Sequence, residues 1–300
     1  MTSTRQFRDT GAGLVVKAPA KLNLSLLIAG KRPDGFHEIE TVMAKIDWCD
    51  ELLIEPGTKP GIELACQGPQ WAPPGRDNLV YRAARRILSG SHTPAPVRLT
   101  LTKNVPAGSG LGSASSDAAA TLLGLNRYFS LGRSRSQLLE AAAELGSDVA
   151  FFLNGPLALC TGKGEKIAPL PADFDFTAVL VTPDINVSTA MVYNHYTHDR
   201  RAYEKLGAQT RTHLQQNRID LLAKMCANML SGTCFHLFEE LDRLRETIES
   251  LGVGPVCLSG SGSTLFFILD DPGRERLQRV RGEITEKAGC KSFVVRNCRW

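Results

Sequence analysis

The sequence predicts an α+β protein. Three observations carry that expectation. Short β-branched and aliphatic runs separated by turn signals fill the first part of the chain, and a glycine- and serine-rich loop joins an alternating strand to an Ala- and Leu-rich helix. Beyond about residue 172 strands and helices follow one another without a regular βαβ repeat, which argues against a doubly wound sheet. With 300 residues, 43% of them hydrophobic and 22% charged, the chain is long enough for two cores of ordinary domain size or one large one.

The elements read in order. Apolar runs recur at Val15-Val16, residues 22–28 and residues 42–46, and Pro33-Asp34-Gly35 marks a hairpin-like turn, since Pro presets φ and Gly accepts a positive one. Asn78 heads a predicted helix over residues 79–88, where apolar and basic residues recur at helical spacing. Residues 97–102 alternate Val, Leu, Leu with Arg, Thr, Thr, the period of a half-buried strand. A helix over residues 116–129 carries Ser and Asp at its head, where free amides and the helix dipole favour them, and a second over about 136–145 stops at Gly146. Then come a strand at 178–182 and helices near 188–196, 219–229 and 235–251. Two strands around a second glycine loop, a charged helix from about Pro272 and a last strand at 292–296 complete the order.

Several classes are disfavoured. The formal net charge of +4 comes from 35 basic and 31 acidic residues without a block of either sign, so no extended nucleic-acid surface is expected, although a local basic pocket for phosphates is compatible. The eight cysteines are dispersed without a C-x-x-C pair, and residues 1–8 hold no apolar stretch, so reduced thiols in a cytoplasm are expected. The uncharged stretch 251–269 is interrupted by Pro255 and the Ser259-Gly260-Ser261-Gly262-Ser263 run; it reads as strand, loop, strand and not as a membrane span.

The loop over residues 105–117 reads Val-Pro-Ala-Gly-Ser-Gly-Leu-Gly-Ser-Ala-Ser-Ser-Asp. Gly108, Gly110 and Gly112 remove Cβ bulk at alternate positions, so backbone amides can converge on one anion. The helix N-terminus that follows adds unpaired amides and a positive dipole end. Ser113, Ser115 and Ser116 add hydroxyls for phosphate or Mg²⁺. A Gly/Ser run by itself also suits a flexible turn, and this string is neither a Walker A loop nor a dinucleotide fingerprint. A Walker-like decoy at Thr161-Gly162-Lys163-Gly164 has Leu157 in place of the first glycine and reads as a turn.

The stretch 106–119 resembles the phosphate motif of the GHMP kinases, Pro-x-x-x-Gly-Leu-Gly-Ser-Ser followed by small residues. Two more segments match in order: Lys17-Ala18-Pro19-Ala20-Lys21-Leu22-Asn23-Leu24, and Leu258-Ser259-Gly260-Ser261-Gly262-Ser263-Thr264. Within the superfamily, residues 18–24, Arg32-Pro33-Asp34-Gly35-Phe36-His37, Asn78-Leu79-Val80-Tyr81-Arg82-Ala83-Ala84 and Gly146-Ser147-Asp148-Val149 resemble the branch that phosphorylates a 4-diphosphocytidyl-linked methylerythritol for isoprenoid synthesis. Two departures stand out. That branch commonly has Gly-Gly-Gly-Ser-Ser where this chain has Gly112-Ser113-Ala114-Ser115-Ser116, and Tyr where it has Phe36.

The resemblance implies two domains, a ribosomal-protein-S5-like one over residues 1–171 that binds ATP and a ferredoxin-like one over 172–300, with the site between them. It implies ATP and Mg²⁺, a small cytidine diphosphate substrate phosphorylated at its 2-hydroxyl, a monomer or homodimer, and neither a nucleic-acid nor a membrane partner. Other GHMP kinases, acting on homoserine, mevalonate or a sugar, and a non-catalytic nucleotide-binding relative are the alternatives. Asp148 is the implied proton acceptor and Lys21 its partner. Local sequence alone makes Asp148 an N-terminal helix residue and leaves Lys21 open. Pro106, Ala107, Gly108, Ser109, Gly110, Leu111, Gly112, Ser113, Ala114, Ser115 and Ser116 are implied for ATP; Asn78 is a candidate there as well as a helix N-cap. Asn23 is implied near the reacting hydroxyl and Phe36 and His37 beside the cytosine, although a lone His after a turn also suits a surface. Tyr193 is a candidate for the opposite cytosine face or for the core. Gly260 sits where the backbone would approach substrate phosphates or the catalytic loop, or simply in a tight hairpin. No residues are singled out as Mg²⁺ ligands.

Overall fold

A long β-hairpin organises the first half of the chain in the computed structural model, which describes residues 5–89, 96–171, 174–269 and 273–300. β1 (Phe7–Asp9) leads into β2 (Leu14–Lys31), which pairs antiparallel with β3 (His37–Pro56) from Leu14 opposite Ile54 to Lys31 opposite His37. The Pro33-Asp34-Gly35 turn closes the hairpin with Gly35 at φ 85°. β3 is long enough to serve two neighbours. Its C-terminal part pairs with β5 (Val97–Thr102), beside which β4 (Ile62–Gln67) runs parallel, and its N-terminal part pairs with β6 (Leu157–Gly162), which continues to β7 (Lys166–Pro169).

Helices cover one face of this sheet. Asn78 caps α1 (Leu79–Leu88) by accepting from Val80 N at 2.9 Å, and α1 buries Val80, Ala83, Ala84, Ile87 and Leu88. The larger of these side chains contribute about 1.5–3 kcal/mol each when fully buried. α2 (Ser113–Tyr128) packs closely on the hairpin at Gly124, where a Cβ would meet Ile54 Cδ1 at 2.6 Å and Val16 Cγ2 at 2.8 Å. α3 (Arg135–Ala143) starts in a capping box between Ser134 and Gln137, and the single turn α4 (Val149–Phe152) follows.

β8 (Thr177–Thr182) opens a second, antiparallel sheet. After β8 come α5 (Thr189–His195), α6 (Arg200–Gln215), α7 (Ile219–Lys224), β9 (Ala227–Asn228), α8 (Ser231–Leu237) and α9 (Glu239–Glu249). β10 (Cys257–Leu258), β11 (Leu265–Leu269), α10 (Arg274–Ala288) and β12 (Lys291–Arg296) end the chain. The sheet order β10-β11-β8-β12 is the split arrangement of a ferredoxin-like unit. Leu22, Leu24, Val42, Ala44 and Ile46 of the first sheet share a buried cluster with Ala178, Leu180, Phe266 and Val295 of the second, so the sheets are joined by apolar core. No helix among the described residues is long and apolar enough to cross a membrane.

Four expectations need correction. The helix expected over 219–229 stops at Lys224; Cys226 turns the backbone at φ 48°, and Ala227–Asn228 forms β9 alongside Ser25 and Leu26 of β2. The helix expected over 235–251 divides at Phe238 into α8 and α9, because Phe238 adopts φ −128°, ψ 75°. α2 begins at Ser113 and not Ser116, since Gly112 at φ 67° lets the chain enter the helix at once. Cys226 and Cys257 form a disulfide, so reduced thiols do not describe every cysteine; packing α7 and β9 against β10 brings their Cα atoms within 4.7 Å. Residue 172, where the second domain is expected to start, and Pro272 lie outside the described residues.

Candidate active site

The site forms where β2, the loop before α2, the head of α4 and the β10–β11 hairpin meet. β2 alternates, so Leu22 and Leu24 enter the core between the sheets while Lys21 and Asn23 point to the other side. Lys21 is 4% exposed, and its Nζ lies 4.0 Å from Asp148 Oδ2 and donates to Asn23 Oδ1. Burial lowers the Lys21 pKa, and the charge of Asp148 pulls it back up. Asp148 stands at the N-cap position of α4, as local sequence predicts, but its side chain makes no cap hydrogen bond. That frees the carboxylate to face Lys21.

The glycine loop is built around its own carbonyls. Ser109 Oγ and Ser113 Oγ both donate to Pro106 O, at 2.9 and 3.2 Å, and Lys21 N donates to Leu111 O at 3.0 Å. Gly108, Gly110 and Gly112 have φ of 70°, 80° and 67°, the left-handed region that favours glycine. Ser113 and Ala114, where the resembling branch carries glycine, already belong to α2 and need no such freedom. Ser115 is half-buried and Ala107 exposed. The Ser116 hydroxyl, in the first turn of α2, is buried without a hydrogen-bond partner and so fits a phosphate oxygen or a metal ion. Among the described residues no three His, Cys, Asp or Glu side chains converge as a metal cluster.

The hairpin loop over residues 259–264 is a tight turn that also packs on the glycine loop. Gly262 N donates to Ser259 O and Ser259 N to Thr264 O, closing the turn, while Ser259 Oγ donates to Gly110 O and Thr264 N to Ser109 O. A Cβ at Gly260 would stand 3.4 Å from Lys21 Nζ and 3.4 Å from Asn23 Oδ1, so its backbone abuts both side chains. Asn228 fixes this loop from below, its Nδ2 donating to Leu258 O and Gly260 O at 2.9 and 2.7 Å.

The aromatic candidates lie on one side. His37 and Tyr193 rings are 5.3 Å apart, and burial, with Asp148 next, raises the Tyr193 pKa. Burial, then the charges of Lys31 and His198, keeps His37 below its ordinary pKa. Phe36 is 58% exposed, with Lys163 Nζ 4.7 Å from its ring centroid. The Walker-like segment is the expected turn, yet it borders the site, because a Cβ at Gly164 would lie 3.8 Å from Asp148 Oδ1. Asn78 caps α1 with its amide oxygen, and its Nδ2 donates to Pro73 O.

Sequence reading misses a buried ion triad beneath the loop. Lys103 Nζ bonds Asp50 Oδ2 and lies 2.8 Å from Asp117 Oδ2, while Asp50 Oδ1 accepts from Asn104 N and from Val105 N at 2.8 Å. The triad thus anchors the residues that open the loop. A lone Lys at the end of an alternating strand is its only local signal.

Fold and loop define the class before any comparison by sequence, and both halves agree with it: the GHMP kinases N-terminal domain model matches residues 78–156 and the GHMP kinases C-terminal model residues 211–286. The 4-diphosphocytidyl-2-C-methyl-D-erythritol kinase of Geobacillus sp. (strain WCH70) is 36% identical over 267 residues, 89% of this chain and 91% of the relative. A crystal structure of 4-(cytidine 5'-diphospho)-2C-methyl-D-erythritol kinase matches with TM-score 0.74 and 32% identity, over 95% of this chain and 100% of that one. Homoserine kinase from Cytophaga hutchinsonii gives the same TM-score, 0.74, at 20% identity over 98% of each chain, a likeness of fold alone. The chain belongs to the 4-diphosphocytidyl-2-C-methyl-D-erythritol kinase family of the GHMP kinases.

Proposed function

We propose that the protein transfers the γ-phosphate of ATP to the 2-hydroxyl of 4-diphosphocytidyl-2-C-methyl-D-erythritol, giving the 2-phosphate and ADP. The observation that carries the reading is the Lys21–Asp148 pair, 4.0 Å apart, beside both glycine loops. Asp148 accepts the proton of the attacking hydroxyl. Lys21 offsets charge on the transferred group, and Asn23 aligns the hydroxyl. The loop from Pro106 to Ser116 holds the triphosphate with its amides and the N-terminal end of α2. Mg²⁺, when bound, would offset phosphate charge, and the unpartnered Ser116 hydroxyl is the loop group suited to hold it.

Phe36, His37 and Tyr193 receive the cytosine, and the Gly260 backbone closes on the substrate. The division into an ATP-binding half up to residue 171 and a second half from 172 belongs to the same proposal. The test is an ADP-release assay with the cytidine substrate beside homoserine, mevalonate and sugar alcohols. Turnover of the cytidine substrate above the others is expected; turnover of another alcohol with none of the cytidine substrate would overturn the assignment.

A further inference from the structure

We propose that Thr41 is a positioning residue for phosphoryl transfer, setting the orientation of the Asn23 amide and thereby the acceptor that faces Lys21. The inference rests on the proposed function for the meaning of Lys21 and Asn23 and goes beyond it in assigning Thr41.

Thr41 lies on β3, fully buried at 0% exposure. A register shift between Asn23 and Ser25 places its side chain within reach of both residues on β2. Its hydroxyl donates to Ser25 O at 2.6 Å. A backbone carbonyl only accepts, so the Thr41 hydrogen is committed there and its oxygen can only accept from elsewhere. The group it accepts from is Asn23 Nδ2, at 2.7 Å. An amide whose nitrogen is fixed at one end presents its oxygen at the other, and Asn23 Oδ1 is the acceptor for Lys21 Nζ.

Hydrogen-bond polarity therefore runs in one direction through four residues. Reversing the amide would set its NH₂ against the Lys21 ammonium and its oxygen against the Thr41 oxygen, two repulsive contacts in a buried site. The titratable groups that face Lys21 are Asp148 from the head of α4 and Cys160 from β6. Asn23 adds a neutral acceptor to that set, and Thr41 decides that it is an acceptor.

The experiment compares T41V and T41S with wild type in steady-state kinetics across pH. T41V, near in shape but without the hydroxyl, is expected to lower kcat about 10- to 100-fold, within the reach of misplacing one group near the chemistry, to change KM for ATP little, and to move the alkaline limb of kcat/KM to lower pH. T41S, which keeps the hydroxyl, is expected to restore both. An unmoved limb in T41V, or a T41S protein as impaired as T41V, overturns the proposal, since the methyl group would then be what matters. If T41V does not fold, T41C takes its place, and the same fall and the same shift are expected of its weaker donor. All values are ratios to wild type on whichever alcohol wild type turns over. Failure of the cytidine substrate alone would sink the substrate assignment and leave these ratios readable.

Discussion

Lys21 and Lys45 stand directly opposite each other across the β2–β3 ladder, and α4 keeps the two ammonium groups apart. Asp148 at the head of α4 faces Lys21, whereas Lys45 Nζ donates to Phe152 O at 3.2 Å and Asn154 O at 2.7 Å at its tail. Like charges opposed on a ladder normally repel, so each lysine depends on its own end of the short helix. Lys45 thereby sets where α4, and with it Asp148, sits on the hairpin.

Burial lowers the Lys45 pKa from 10.5 to about 8. The unfolded chain then binds more protons between these values, so folding is penalised below pH 8 and the penalty is relieved as pH rises toward 10.5. Relative to K45M, wild type should gain about 2 kcal/mol of stability between about pH 7.5 and 9.5. Urea denaturation of both proteins at the two pH values checks it. A gap that stays constant would mean that Lys45 keeps its charge without cost.

D148A should lower kcat by about 10²- to 10⁴-fold, the usual loss for a positioned proton acceptor. ATP affinity, measured by calorimetry, should change little, because the loop is held by Pro106 O, Leu111 O and the hairpin and not by Asp148. Near-normal turnover by a folded D148A protein excludes it as the base.

With Lys21 acting as proposed, its charge sets the alkaline pH dependence of turnover. Its cation is held against burial by the Asp148 carboxylate. As pH rises through the lowered pKa the charge is lost, so the alkaline limb of kcat/KM should fall below the ordinary lysine range. In the residual activity of D148N that limb should move lower still. A limb at the ordinary value in wild type would contradict the burial of Lys21.

How far the sequence reaches is visible in these residues. Strand, loop and helix around residues 97–128 are legible because alternation, three glycines and an apolar helix all act locally. Lys21, Asn23 and Asp148 become candidates through ordered motifs, but no spacing rule brings β2 to the head of α4. α6 escapes a reading of the sequence for a physical reason: it buries only Gly207 and Thr210, so it has no apolar stripe to read, and Tyr203 OH holds it to Glu40 at 2.6 Å. Thr41, Asn228 and the Lys103 triad act through partners distant in the chain, which no local pattern records.

The triad allows a comparison of two aspartates. Burial raises the Asp117 pKa from 3.8 to about 8 against the opposing pull of Lys103, so the negative charge of Asp117 is costly in the folded protein. Asn carries no such charge, and wild type should lose stability relative to D117N as pH rises from 3.8 to about 8. Asp50 holds Lys103 and the Asn104 and Val105 amides at once. D50A should therefore cost about 3–5 kcal/mol, as when one partner of a buried pair is removed, and should raise KM for ATP. Equal destabilisation by D50A and D117N, in denaturation at about pH 7, would refute this division of roles.

The loop glycines separate backbone strain from close packing. A Cβ added at Gly108, where φ is 70°, would have nothing within 4 Å, so G108A meets only the left-handed backbone preference. That preference costs on the order of 1–2 kcal/mol. Gly110 at φ 80° lies under the hairpin, where a Cβ would come 2.1 Å from Ser259 O and 2.9 Å from Gly262 O. Both obstacles are backbone atoms that cannot rotate away. G110A must push the hairpin off the loop, breaking the Ser259 Oγ–Gly110 O and Thr264 N–Ser109 O bonds that join the two halves of the site. Gly260 would move with them, away from Lys21 and Asn23. G110A should thus abolish most turnover, about 10²-fold or more for a displacement of this kind, while G108A retains kcat within several-fold and loses mainly ATP affinity. Steady-state kinetics on the two purified proteins, with melting temperatures to show that both fold, decides the matter; comparable kcat in the two variants would mean that the hairpin does not depend on its contact with Gly110.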